Sequence, residues 1–171
     1  MGNTDTAKST VPPVAPAKWR SAIALAGWLI LCFAAAAIGS LFMPGDWYAQ
    51  LKKPLWNPPS WIFGPVWTAL YILMAIAAWL VWMRGGFPAQ TKPLVAFAVQ
   101  LGFNAIWSPL FFGLRSPGLA FADILFLWVA LLITIRSFWK TRPVAGALLI
   151  PYAAWASFAA ALNYTIWQLN R

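Results

Sequence analysis

The chain has no histidine, no glutamate and a single cysteine, Cys32. One cysteine excludes an internal disulfide. Without His and Glu the usual metal ligands and the commonest general acid–base groups are missing, so no metal site, cofactor or catalytic residue is expected. Charge is scarce too. Only 9% of the 171 residues are charged and 62% are hydrophobic, whereas a soluble domain averages about 25% charged residues. The only acids are Asp5, Asp46 and Asp123. The net charge of +9 is spread over loops and ends, and a nucleic-acid face would gather it into one patch. Anionic headgroups account for it better.

What the chain does have is apolar length. A spanning helix needs about 20 apolar residues, and five stretches qualify: 19–43, 61–83, 93–112, 117–138 and 143–168. These predict an all-α integral membrane protein, a five-helix bundle over 19–171 behind a disordered tail, 1–18. The first span is too long for a signal h-region and follows a polar tail, so it is not read as a cleavable signal. The first residues also match a short myristoylation pattern, which matters only in a eukaryote. Five spans put the two ends on opposite sides. Lys8, Lys18, Arg20, Arg84, Lys92, Arg136, Lys140 and Arg142 fall on the N-terminal side, and Lys52, Lys53, Arg115 and Arg171 on the other. That bias places the N-terminus on the cytoplasm-like side. No internal repeat is visible.

Within the spans, Gln100, Asn104 and Ser108 recur at i, i+4, i+8 and so share one helix face, flanked by Trp107. In hydrocarbon such a face must look into the bundle, either as interhelical hydrogen-bond glue or as pocket lining. Asp123 is the one intramembrane acid. It reads either as a functional site or as a helix-end residue tied to Arg115 or to backbone donors. In the fifth span Pro151 should kink the helix. Tyr152, Trp155, Ala159 and Asn163 follow a helical stripe there.

Thirteen tryptophans are present. Trp19, Trp82, Trp139 and Trp167 lie near span ends, where an aromatic belt is expected. Trp56, Trp61, Trp67, Trp107 and Trp155 gather on the side of the first connecting segment. Flat aromatic walls suit a flat apolar ligand with a few polar anchors. That segment, KKPLWNPPSWIFGPVW, Lys52 to Trp67, holds four prolines and three tryptophans in sixteen residues. It is too stiff for a linker and reads as a lid.

Three stretches carry a family resemblance: WYAQLKKPLWNPPSWIFGPVWTALY (Trp47 to Tyr71), LGFNAIWSPLFFGLRSPGLAFAD (Leu101 to Asp123) and PYAAWASFAAALNYTIWQLN (Pro151 to Asn170). Together they resemble the translocator protein family, also called the tryptophan-rich sensory or peripheral-type benzodiazepine receptor family. The resemblance implies a five-helix membrane bundle, usually a homodimer, that binds tetrapyrroles such as protoporphyrin IX. Many members also bind cholesterol and benzodiazepine-site drugs. It implies a pocket beneath the first connecting segment, walled by Ala37 and Ser40, by Phe63, Gly64, Val66 and Trp67, and by Asn104, Trp107 and Ser108. Leu119, Ala122, Asp123 and Phe126, then Trp155, Ala159, Leu162 and Asn163, would complete it. The family's sterol pattern needs a basic residue shortly after Tyr; here Leu162 and Tyr164 are followed by Gln168, and Arg171 is one position too far. A porphyrin-type ligand is therefore expected over cholesterol. The alanine-rich composition favours a bacterial membrane over a mitochondrial outer membrane. The resulting expectation is a tetrapyrrole-binding receptor or transporter. A light-dependent porphyrin-degrading enzyme, or a membrane assembly protein that binds no small ligand, are the alternatives.

Overall fold

In hydrocarbon a backbone N–H or C=O must find its partner within the protein, so apolar runs of this length fold as helices. The structure is a computed structural model that describes residues 18–171; the expectations placed on the N-terminal tail lie outside the described residues. Seven helices follow in order: α1 (Lys18–Ser40), α2 (Asp46–Gln50), α3 (Phe63–Trp82), α4 (Gly86–Ser108), α5 (Pro117–Thr141), α6 (Pro143–Ala147) and α7 (Ile150–Leu169). A 3-10 turn, Ser60–Ile62, leads into α3, and a π turn, Pro109–Gly113, ends α4. Five stretches are long and apolar enough to cross a membrane: Trp19–Ser40, Ser60–Trp82, Gly86–Gly113, Pro117–Thr141 and Pro143–Leu169. The chain is an all-α, multi-pass membrane protein.

The span boundaries differ from the hydropathy reading in physical ways. α1 stops at Ser40, where its hydroxyl donates to the Ala37 carbonyl at 2.8 Å and Phe42 N–H turns back to the Gly39 carbonyl. α4 begins at Gly86, well before 93. Gly85 and Gly86 adopt φ of +114° and +68°, a region glycine enters without a Cβ penalty. They reverse the chain within two residues. Pro88 falls in the first turn of α4, where no N–H is needed. Pro93 does not end the helix either; Gln90 leaves helical geometry (φ −121°, ψ 26°) and absorbs it as a kink.

The fifth span is broken, not merely kinked. α6 and α7 are separate helices, and Pro151 lies in the first turn of α7, where its missing N–H does little harm. This break lets the two halves pack differently. α6 approaches α3 and α5, whereas the α7 backbone approaches α5. α1 packs on α3 and α4, and α4 on α5. The N-terminal half of the bundle is filled. Trp28 meets Phe97 edge-on at 5.7 Å, Phe97 stacks on Phe138 at 5.8 Å, and Met74, Val81, Leu131 and Leu149 are fully enclosed around them.

Gly146 marks a close crossing of α6 and α5. A Cβ there would lie 3.0 Å from the Trp139 Cα and 2.8 Å from its ring. Gly146→Ala should therefore separate α6 from α5 and cost about 1–3 kcal/mol, as overpacking does. Gly27→Ala, with nothing within 4 Å of the added carbon, should leave thermal unfolding in detergent unchanged. Equal melting temperatures for the two variants would show that the α5–α6 crossing is slack.

Candidate functional site

The opposite half of the bundle is hollow. A cavity of about 610 Å³ lies between the end of α1, the start of α3, the end of α4, α5 and α7. Ala36, Tyr71, Asn104, Leu127 and Trp155 are among its lining residues. It exists because α7 meets α3 through large rings and not through backbone approach: Phe63 faces Trp155 at 5.7 Å, and Trp67 faces Tyr152 at 6.1 Å. Trp61, Trp67, Trp107 and Trp155 line it with Phe63, Phe111, Phe112 and Phe158. At roughly 300–1,000 Å³, mostly apolar with a few polar groups, cavities of this kind hold small flat ligands.

The floor is a hydrogen-bonded chain. The Tyr71 hydroxyl donates to Asn104 Oδ1 at 2.5 Å, and Asn104 Nδ2 donates to the Tyr152 hydroxyl at 2.8 Å. One amide so ties α3, α4 and α7 together. A second chain runs along the wall. Trp107 Nε1 donates to Asn163 Oδ1 at 3.0 Å, and Asn163 Nδ2 donates to the Pro117 carbonyl at 2.7 Å. That contact holds the entry to α5 just after Arg115, whose φ of +51° is rare for a non-glycine residue. Gln100 and Asn104 are buried and Ser108 faces the cavity. The polar stripe therefore looks inward, as its spacing predicts. One turn deeper, Gln100 reaches only the Met74 sulfur at 3.9 Å, and its Oε1 has no partner.

The roof is the segment between α1 and α3. Phe42, Met43, Pro44, Tyr48, Asn57, Pro58, Ser60 and Trp61 line the cavity from it. Trp47 and Tyr48 lean on Phe111 at 5.9 and 6.1 Å, and Trp56 on Phe158 at 5.8 Å. Burial there raises the Tyr48 phenol above its ordinary pKa, and the Lys53 ammonium sits 4.5 Å above its ring.

Twelve of the expected wall residues meet at this cavity: Ser40, Trp61, Phe63, Gly64, Trp67, Asn104, Trp107, Ser108, Trp155, Ala159, Leu162 and Asn163. Ala37, Trp56, Val66, Leu119, Ala122, Asp123 and Phe126 do not line it. Ala37 and Ala122 are exposed, and Leu119 and Phe126 turn outward at 54% and 62% exposure. The inward stripe of α5 is instead Ala120, Asp123, Ile124, Leu127 and Leu131, of which Ile124 and Leu127 reach the cavity. Tyr71 was not expected, although it lies one helical turn after Trp67 on the same face. Phe111 and Phe112 were not expected either; the π turn aims them, and no sequence signal marks it. Asp123 is 7% exposed in the second turn of α5, and its Oδ2 is buried without a partner. It is not the solvated helix-end residue that a tie to Arg115 would make it.

The TspO/MBR family matches residues 28–168. A tryptophan-rich protein TspO from Chlorobaculum tepidum is 44% identical over 144 residues, 82% of this chain and 91% of its own. A tryptophan-rich sensory protein from Cereibacter sphaeroides is 39% identical over 143 residues, 84% and 89% of the two chains. The translocator protein of Homo sapiens is 42% identical over 138 residues, 78% and 82%.

The floor makes a stability prediction. Asn104→Leu strands two buried hydroxyls and should cost about 1–3 kcal/mol in thermal unfolding. In a Tyr71→Phe/Tyr152→Phe background the same change should cost much less. Equal costs in both backgrounds would break the chain into independent contacts. Asp123→Leu removes a carboxylate with an unpartnered oxygen and should hold or raise the melting temperature; a fall would reveal a partner for it.

Proposed function

The chain belongs to the TspO/MBR family, and from that premise and the cavity we propose that it is a membrane receptor or transporter for tetrapyrroles of the protoporphyrin IX type. Membership carries a membrane sensory or transport-related role. The tetrapyrrole is our reading. The observation that carries it is the cavity itself: four tryptophans and several phenylalanines form its walls, and polar groups sit at its floor and one edge. A porphyrin is a flat aromatic ring with polar substituents on its rim. Rings on the wall stack against or meet its faces. Asn104, Ser108 and Asn163 supply the few directional contacts that orient it.

In this proposal the ligand-contacting set is the twelve residues named above with Tyr71, Ile124 and Leu127. Val66, Trp56 and Asp123 act behind it, through packing. Other flat apolar ligands, including drugs of the benzodiazepine site, would use the same walls. The homodimer belongs with the proposal as well, through an outward face such as that of Gly102, around which nothing lies within 4 Å of an added Cβ.

The test is a titration of protoporphyrin IX into the detergent-solubilised protein, in the dark, followed by tryptophan quenching. Saturable quenching is expected. Ala159→Phe fills the cavity wall and should weaken affinity by about tenfold, the equivalent of roughly 1.4 kcal/mol. Trp61→Phe should weaken it by a smaller factor. Quenching that never saturates, or that ignores both substitutions, would turn the cavity into packing space of an assembly protein.

A further inference from the structure

Asn170 follows the last turn of α7 and takes no part in lining the cavity. Its side-chain amide is nevertheless fully engaged. Oδ1 accepts from the Lys52 N–H at 2.9 Å. Nδ2 donates to the Lys52 carbonyl at 2.9 Å and to the Ile166 carbonyl at 2.7 Å. An amide side chain has two donor hydrogens and one acceptor oxygen to satisfy, and all three are met. It pairs with both backbone groups of Lys52 as a neighbouring strand would, across 118 residues of sequence. The Lys52 side chain takes no part. Beside it the Arg171 guanidinium lies 4.0 Å over the Trp167 ring, and Trp167 packs where a Cβ on Gly118 would come within 3.0 Å.

Lys52 sits in the roof. That segment rests on the bundle through Trp47 and Tyr48 against Phe111 and Phe112, and through Trp56 against Phe158. Ring contacts of this kind tolerate sliding. The roof's backbone hydrogen bonds run within the segment or to the preceding turn of α1. Among the described residues, the Asn170 pair is the one hydrogen-bonded tie from the roof to a helix remote in sequence. We propose that Asn170 is a positioning residue that latches the roof shut over the cavity and so sets how fast a ligand enters and leaves. This rests on the reading of the cavity as a ligand site. Because Asn170 does not line the cavity, releasing it should speed entry and exit together and leave affinity nearly unchanged.

The experiment uses the full chain in lipid nanodiscs with protoporphyrin IX as the probe, in the dark, by stopped-flow tryptophan quenching. Asn170→Ala should raise both association and dissociation rates about tenfold, the effect of losing about one net hydrogen bond from the shut state, with the dissociation constant within about threefold. Asn170→Asp keeps the acceptor but turns a carboxylate toward two carbonyls, and should act in the same direction. Lys52→Ala leaves the backbone pair intact and should match the unmodified protein. A second reading needs no ligand: amide hydrogen exchange at Leu51 and Asn57, whose N–H groups bond within the roof to the Tyr48 and Pro54 carbonyls, should quicken in Asn170→Ala and stay unchanged in Lys52→Ala. Unchanged rates in Asn170→Ala, or a loss of affinity carried by dissociation alone, would overturn the latch. If the probe does not bind the unmodified protein saturably, the tetrapyrrole reading falls, and exchange at Leu51 and Asn57 then decides the latch; unchanged exchange there overturns it.

Discussion

The side-chain amide of Asn104 is buried among three helices and must find its partners largely within the protein, and this constraint organises the cavity half of the molecule. Its oxygen takes the Tyr71 hydroxyl from α3, and its nitrogen gives to the Tyr152 hydroxyl of α7. Three helices are brought to one point without any hydrophobic drive between them, since lipid tails are as apolar as the side chains they would replace. Trp67 packs on both tyrosine rings, at 5.5 and 6.1 Å. Glue and pocket lining are therefore not alternatives for this stripe. The amide that joins the helices is also the floor of the space between them.

That space lies beside a fifth span made of two helices. The break after Ala147 leaves α6 against α3 and commits α7 to α5. Large rings then bridge what backbones do not. The π turn at Pro109–Gly113 acts similarly on α4. It ends the helix with an extra residue in the turn, closed by the Leu114 N–H on the Pro109 carbonyl at 2.8 Å, and turns Phe111 into contact with Trp107 at 5.0 Å.

Hydropathy alone located five spans, because hydrocarbon thickness sets helix length. The i, i+4, i+8 stripe of Gln100, Asn104 and Ser108 was legible for an equally simple reason: helical geometry leaves those side chains one shared direction. The phase of α5 was not legible from resemblance. Leu119, Ala122 and Phe126 fall on the outward face, and an apolar residue reads alike whether it meets lipid or protein. Proline was ambiguous for a related cause. Pro93 heads one apolar run and Pro151 lies within another, yet the first is absorbed by a kink at Gln90 and the second opens a new helix. Asn170 carried no signal at all. Its partner is a backbone pair, and backbone groups leave no mark on the sequence.

The cavity also constrains how the protein could move a ligand. Its floor at Tyr71, Asn104, Leu127 and Trp155 is followed by the Trp28, Phe97 and Phe138 rings and by Met74, Val81, Leu131 and Leu149, which leave no accessible surface or almost none. Close-packed interiors do not part for a rigid molecule of the cavity's size without unpacking several side chains at once. Passage along the bundle axis would therefore require a second arrangement of the N-terminal half. Exchange at the roof end requires only that a strap of prolines and tryptophans lift from Phe111, Phe112 and Phe158. On the expectation from the Lys and Arg bias that the N-terminal side faces the cytoplasm, that strap would lie on the far face of the membrane.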